Sequence, residues 1–366
     1  MRVTILAVPP VLPDIGRDLH LGQGTIGTLT SLPTFLFAAA AVPGAVLIAR
    51  IGPRRALLAG VVGLGGFAAL RGVGPSTAML FGATLLMAAG VAIGQPAIPT
   101  LVRDWLPARV SMGIAVFSNG MVCGETVPAA VTGPLLLHAV GWEASLALWS
   151  LPVAVLLVLL FVTTREMPVA DDAAAVRRVP DFRNPQLWLI GLAFGLDSAA
   201  YWGANAFIPG YVQATGRAGL QDAALTALNA SQVVASLVLL VTLRRMAARR
   251  WPFLLMGAGI AVGYAGMLLL PGWGIVAASA VVGFITAMGM IISLALPPLL
   301  AAPRDVHTFS AGMLVICYAT AFLAPSIGGQ VWDTTHAPAA PFLLFGAGGA
   351  VAFALALVTR YGRAHE

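Results

Sequence analysis

The sequence predicts an all-α membrane protein, a bundle of twelve helices in two pseudo-symmetric halves of six. Three observations carry this expectation. The first is composition: of 366 residues, 59% are hydrophobic and 9% charged, with a mean hydropathy of +0.92, whereas a soluble domain carries about 25% charged residues. So few charges cannot make a water-facing surface, and disordered chains are poor in apolar residues. A soluble globular protein and a disordered chain are both excluded. The second is patterning, because apolar stretches near the 20 or so residues of a membrane helix follow one another with short connections. The third is an internal repeat.

In order, the expected spans cover residues 1–16, 26–48, 56–73, 77–101, 111–135, 145–163, 186–210, 222–243, 252–270, 275–299, 310–331 and 340–359. Pro9, Pro10 and Pro13 interrupt the first. The basic turn Gly52-Pro53-Arg54-Arg55 closes the second, Gly74-Pro75 follows the third, and Arg103-Asp104 follows the fourth. The longest polar stretch, Thr164–Asn184, holds Arg165, Glu166, Asp171, Asp172, Arg177, Arg178, Asp181 and Arg183. It reads as a linker between an N-terminal bundle, 1–163, and a C-terminal bundle, 185–366.

The halves correspond at offsets of 196 to 201 residues. Pro13 answers to Pro209, the turn at 52–55 to Ala248-Arg249-Arg250-Trp251, and Gly74-Pro75 to Pro271-Gly272. Arg103-Asp104 answers to Arg304-Asp305, Pro128 to Pro325, and His138 to His336. Six matches in order argue for a duplicated six-helix unit, and parallel repeats of this kind build two-lobed transporters. The repeat also shows that 24 residues from Pro185 precede Pro209 while 12 precede Pro13. The first helix is N-terminally short for about 30 Å of hydrocarbon, and a start site assigned too late is the expected reason, to be decided by N-terminal sequencing of the native protein.

The net charge of +6 reflects 20 arginines and no lysine. These lie between apolar stretches, which fits membrane topology and not nucleic-acid binding. With the linker in the cytoplasm, sixteen share its side: Arg50, Arg54, Arg55, Arg103, Arg109, Arg165, Arg177, Arg178, Arg183, Arg244, Arg245, Arg249, Arg250, Arg304, Arg360 and Arg363. Arg17, Arg71 and Arg217 fall opposite. This bias puts both termini in the cytoplasm. Cys123 and Cys317 lie in apolar segments and read as small buried residues, not as a disulfide framework. No secretory signal peptide is visible.

Twelve helices in two halves, with Arg50, Gly52 and Arg54 in a basic turn after the second, resemble the major facilitator superfamily. Its signature there is Gly-x-x-x-Asp-Arg-x-Gly-Arg-Arg/Lys, and this chain has Ala45 for the leading Gly and Ala49 for the Asp. The resemblance implies a gating role for Arg50, Gly52, Arg54 and Arg55. Thr30-Ser31-Leu32-Pro33, Gly94-Gln95-Pro96-Ala97-Ile98-Pro99, the run from Gly141 to Trp149 and the opening Arg2-Val3-Thr4 are similar to the cyanate and 2-nitroimidazole transporter branch. Gly120 and Gly124 match the spacing of an antiporter signature in part, with Glu125 where Pro is expected.

An ionisable side chain at mid-membrane costs several kcal/mol and normally faces a cavity or a partner. The candidates are Arg2, Glu125, about 14 residues into the fifth helix, and Asp197, about 12 into the seventh. In the functional reading Arg2 holds an anionic or polar substrate and Glu125 and Asp197 take up protons. In the structural reading an Arg–carboxylate pair ties the lobes together. Tyr201 and Asn205 share a face with Asp197, either as a binding stripe or as a polar seam, and Trp202 faces substrate or lipid. Gln95, Asn119, Gln232 and Tyr318 complete the candidate substrate residues, with Asn229 in the second rank. Each is equally open to being a helix–helix contact.

No phosphate cradle followed by Lys is present, and Gly63-Leu64-Gly65-Gly66 is too loose to be one, so ATP-driven transport by this chain is excluded. An enzyme is not expected: all five histidines fall at helix ends or in loops, and no His-Glu-x-x-His occurs. A channel would present rings of charge or repeated pore loops. The expectation is a proton-coupled secondary transporter of a small polar or anionic organic solute, working by alternating access around a midplane site. The alternative is a facilitative efflux carrier for a heterocycle such as a nitroimidazole. The expected setting is the bacterial inner membrane, as a multi-pass monomer with a small-molecule substrate and no cofactor, metal or nucleic acid.

Overall fold

The computed structural model describes residues 2–74, 76–106, 109–164, 180–246, 249–301 and 306–359. Most of the expected linker, with Arg165, Glu166, Asp171, Asp172, Arg177 and Arg178, lies outside the described residues, as do Arg304, Asp305, Arg360, Arg363 and His365. The side chains of Arg103, Asp104, Arg244 and His307 lie outside them too. The described residues are helical, with no strand among them. They form two compact units, Met1–His20 with Phe35–Arg178, and Leu21–Thr34 with Val179–Glu366.

The first unit opens with α1 (Val3–Leu6), a 3₁₀ turn at Pro9–Val11 and α2 (Leu12–Asp18). The break has a cause: Pro9 and Pro10 carry no N–H, so the carbonyls one turn earlier lose their helical donors. Next in the chain come α3 (Gln23–Ala39), whose residues up to Thr34 belong to the second unit, and α4 (Ala41–Ile51), where one continuous span was expected. Gly52 then reverses the chain at φ 84°, a conformation that suits a residue without Cβ. Pro53 occupies the first turn of α5 (Pro53–Leu70), where its missing N–H has no helical acceptor to lose.

The fourth expected span divides at Gln95-Pro96 into α6 (Thr77–Gly94) and α7 (Ala97–Trp105). The fifth, α8 (Val110–Val131), continues through a π-helical turn at Thr132–Leu137. The turn before the sixth is at Gly141, φ 79°, within α9 (His138–Leu148) and inside the expected connection, and the span continues as α10 (Ser150–Thr163).

The second unit is more regular. Asn184 caps α11 (Pro185–Ala214) by accepting from the Gln186 N–H at 2.9 Å. There follow α12 (Gln221–Met246), α13 (Trp251–Leu269), α14 (Gly274–Leu294), the short α15 (Pro297–Leu300), α16 (Val306–Thr335) and α17 (Ala340–Val358). In this unit α11 packs on α16, α12 on α14 and α13 on α17.

Seven helical stretches among the described residues are long and apolar enough to cross a membrane, and the longest, Asn119–Thr163, takes in the fifth and sixth expected spans. Outward faces are apolar: along α10, Val155, Val158, Phe161 and Val162 are all at least 60% exposed. That inversion of the soluble pattern fits hydrocarbon as solvent.

Candidate substrate and coupling sites

In the first unit, Arg2 and Glu125 are brought together. Arg2 stands at the N-terminus of α1, which packs on α8, the helix carrying Glu125. The Arg2 Nε lies 3.5 Å from Glu125 Oε1, with both side chains buried. The guanidinium also sits over the Phe37 ring, 5.2 Å from its centroid. The pair therefore joins two elements of one unit, and the expectation of a lock between lobes does not describe it.

Beside the pair is a cavity of about 340 Å³ lined by Arg2, Leu57, Ile98, Trp105, Phe117, Gly120, Met121, Leu156 and Leu160. An apolar chamber edged by a cation already paired with Glu125 suits a ligand that has an apolar body and an acceptor edge. Gln95 and Asn119 are half-buried in the same unit and are not among the lining residues.

In the second unit Asp197 is 1% exposed, and its Oδ1 has no hydrogen-bond partner among the described residues. Gly289 of α14 makes room for it, since a Cβ there would lie 2.5 Å from Oδ1 and 2.6 Å from Met256 Sδ. One residue on, the Ser198 hydroxyl meets Cys317 Sγ at 3.3 Å. Tyr318 follows Cys317 on α16 and is half-buried.

One turn beyond Asp197 is a polar network that the sequence placed only in part. The Tyr201 hydroxyl donates to Asn229 Oδ1 at 2.7 Å, and Gln232 Nε2 donates to the same oxygen at 3.3 Å. Asn229 Nδ2 donates to Asn205 Oδ1 at 3.1 Å and to the Leu225 carbonyl at 2.9 Å. Asn205 Nδ2 reaches back to the Tyr201 carbonyl at 3.1 Å. All four residues are buried. Asn229 is the hub, and its signal was its spacing of three from Gln232 on an otherwise apolar helix. Trp202 is buried edge-on against Tyr201, with centroids 5.6 Å apart, so it is not a lipid-facing residue.

The basic turn divides by role. Arg50 and Arg55 are exposed. Arg54 Nε donates to Thr164 Oγ1 at 2.9 Å and Nη2 to the Phe161 carbonyl at 3.3 Å. A cation at the C-terminus of α10 is well placed against the helix dipole.

Arg71 requires a correction. Its place opposite the linker implied a water-facing charge, but it is 1% exposed, and its Nη2 donates to the Thr4 carbonyl at 2.6 Å. The break in the first helix explains this. Val8 N–H bonds to Ile5 and not to Thr4, which leaves the Thr4 carbonyl for Arg71.

Buried charges, a buried hydrogen-bonding network and an apolar exterior define a polytopic membrane protein. The sequence profile of the Major Facilitator Superfamily matches residues 3–325. The chain belongs to that superfamily. It is similar to the cyanate transport protein CynX of Escherichia coli, 25% identical over 74% of this chain and 71% of that one. It is also similar to the E. coli 2-nitroimidazole transporter, 25% identical over 91% of this chain and 85% of that one. Among solved structures, a bacterial homologue of the human lysosomal transporter Spinster, in an inward-facing and occupied conformation, superposes with a TM-score of 0.73 at 14% identity, covering 98% and 93% of the two chains. That likeness shows the fold. The chain is a multi-pass membrane transporter of small molecules, not an enzyme, and the twelve-helix architecture stands.

Proposed function

We propose that this chain is a secondary active transporter for a small polar or anionic organic solute, coupled to protons and working by alternating access. Its moving halves are 1–163 and 185–366, and both termini are cytoplasmic in the bacterial inner membrane. Asp197 and Glu125 are the coupling carboxylates. Arg2, Gln95, Asn119, Tyr201, Trp202, Asn205, Gln232 and Tyr318 are the substrate residues, and Arg50, Gly52, Arg54 and Arg55 serve the gate. The observation that carries the reading is Asp197, a fully buried carboxylate whose Oδ1 has no hydrogen-bond partner among the described residues. An ionisable group at that depth is expensive to keep without a use.

Arg2 and the likeness to a cyanate transport protein support an anionic solute. A second reading, facilitative export of a heterocycle, is favoured by the buried Tyr201–Trp202 pair and by the likeness to a 2-nitroimidazole transporter. The test is reconstitution into liposomes with an internal pH dye, offering cyanate and 2-nitroimidazole in turn. Asp197→Asn is expected to abolish solute-dependent proton movement while solute exchange down its gradient continues. Unchanged proton movement in that variant would remove Asp197 from the mechanism, and exchange without proton movement in the unaltered protein would favour the second reading.

A further inference from the structure

We propose that Asp333 is a gating residue of the transport cycle: its carboxylate, carried by α16, caps the N-terminus of α3, and release of that cap frees residues 21–34 from α16. The proposal rests on the chain's being a transporter and on no particular substrate.

Helices usually carry their own N-cap, an Ser, Thr, Asp or Asn whose side chain accepts from the first free N–H groups. At α3 the corresponding residue is Gly22, which has no side-chain acceptor. The acceptor comes instead from 310 residues away: Asp333 Oδ1 takes the Gln23 N–H at 2.8 Å and Oδ2 the Gly24 N–H at 2.7 Å. Both carboxylate oxygens are engaged, and such charge-assisted bonds at the positive end of a helix are short and directional. Asp333 is nonetheless exposed, so water can take over both N–H groups when the carboxylate leaves. A cap with a solvent substitute is reversible.

The remainder of the seam is a close approach of backbones. Gly27 lies against the Pro325 carbonyl, and Gly329 against the Gln23 carbonyl, so flat glycine faces meet there. The Thr28 and Ser326 hydroxyls meet at 3.3 Å. The hinge this motion requires falls at Pro33. Residues up to Thr34 group with α16, those from Phe35 do not, and Pro33 sits at the changeover without an N–H to give. Around it, Thr28, Thr30, Ser31 and Thr34 hydroxyls all donate to backbone carbonyls three or four residues back, at 2.7–2.8 Å. Hydroxyls bonded in this way soften and bend helices. The upper part of α3 is thus a strap fastened at its tip by Asp333 and able to flex at Pro33.

The experiment places spin labels at Thr25→Cys and Thr334→Cys, with Cys123→Ser and Cys317→Ala, and measures their separation by pulsed EPR in lipid nanodiscs. A single short distance is expected for the labelled parent. Asp333→Ala is expected to add a longer population and to lower the closed-to-open ratio roughly fivefold or more, the size of a lost cap. Adding Gly22→Asp to Asp333→Ala gives α3 its own cap without a link to α16, and is expected to leave the long population in place. A distribution unchanged by Asp333→Ala would overturn the proposal, as would recovery of the short distance in the double variant, since either makes Asp333 a local helix cap or less. No solute is added, so the outcome stands apart from the substrate and coupling reading.

Discussion

A buried ion pair is held less by its attraction than by what each partner would suffer alone. Glu125→Gln leaves the Arg2 guanidinium buried beside Phe37 with its counter-charge gone. The expected loss is about 3–5 kcal/mol. Replacing both partners, as Arg2→Met with Glu125→Met, removes the stranded charge and is expected to cost less than the single change. Thermal unfolding in detergent micelles checks this, and equal losses for the single and double variants would contradict it. Arg2, Glu125 and Asp197 were legible in the sequence because a charge inside an apolar run is conspicuous. Arg71 was not, because a charge at the end of a run looks like a water-facing one. Its burial depends on the Thr4 carbonyl, which accepts from Arg71 where the first helix breaks. Asn229 was visible as a candidate but not as the hub, since hub status depends on what α11 presents to α12.

At the scale of helices, close approach decides which glycines matter. Gly60 of α5 and Gly90 of α6 face each other so that a Cβ on Gly60 would lie 2.5 Å from the Gly90 carbonyl oxygen, and one on Gly90 would lie 2.6 Å from that of Gly60. Neither helix can yield without moving backbone, which is how small residues set interhelical distance in a membrane. Gly66 of α5 and Gly82 of α6 have nothing within 4 Å of the same position. Gly60→Ala is therefore expected to lower the unfolding temperature. Gly66→Ala is expected to raise it slightly, since alanine is favoured over glycine in a helix interior by about 1 kcal/mol. A melting series on the four alanine variants checks the contrast, and similar shifts at all four would remove the α5–α6 contact as its cause. Hydropathy located these helices and proline located several of their breaks. It did not locate the break at Ala40, where Pro43 in the first turn of α4 has no N–H for the Ala39 carbonyl, whereas the turn at Gly141 falls within the expected connection between 135 and 145. A window of mean hydropathy averages over such a break.

At the scale of the whole chain, orientation is the property that most depends on charges at helix ends. Arg50, Arg55, Arg109, Arg245, Arg249 and Arg250 are exposed in the structure, where topology determinants act. The burial of Arg71 and the half-burial of Arg217 weaken the opposing side further. Arg217 is turned inward over the Tyr211 ring at 5.2 Å and donates to the Leu270 carbonyl at 3.3 Å. Positive charge near short loops is retained on the cytoplasmic side during insertion, so the exposed set predicts a cytoplasmic C-terminus and an outward turn at 215–217. Alkaline phosphatase, active only after export, is expected to be active when fused after Gly216 and inactive when fused after Thr359. Green fluorescent protein, which fluoresces when folded in the cytoplasm, is expected to give the reverse pattern. Activity of the phosphatase at Thr359 would invert the whole arrangement, and the solvent reached through each end of the seven long apolar stretches would exchange with it.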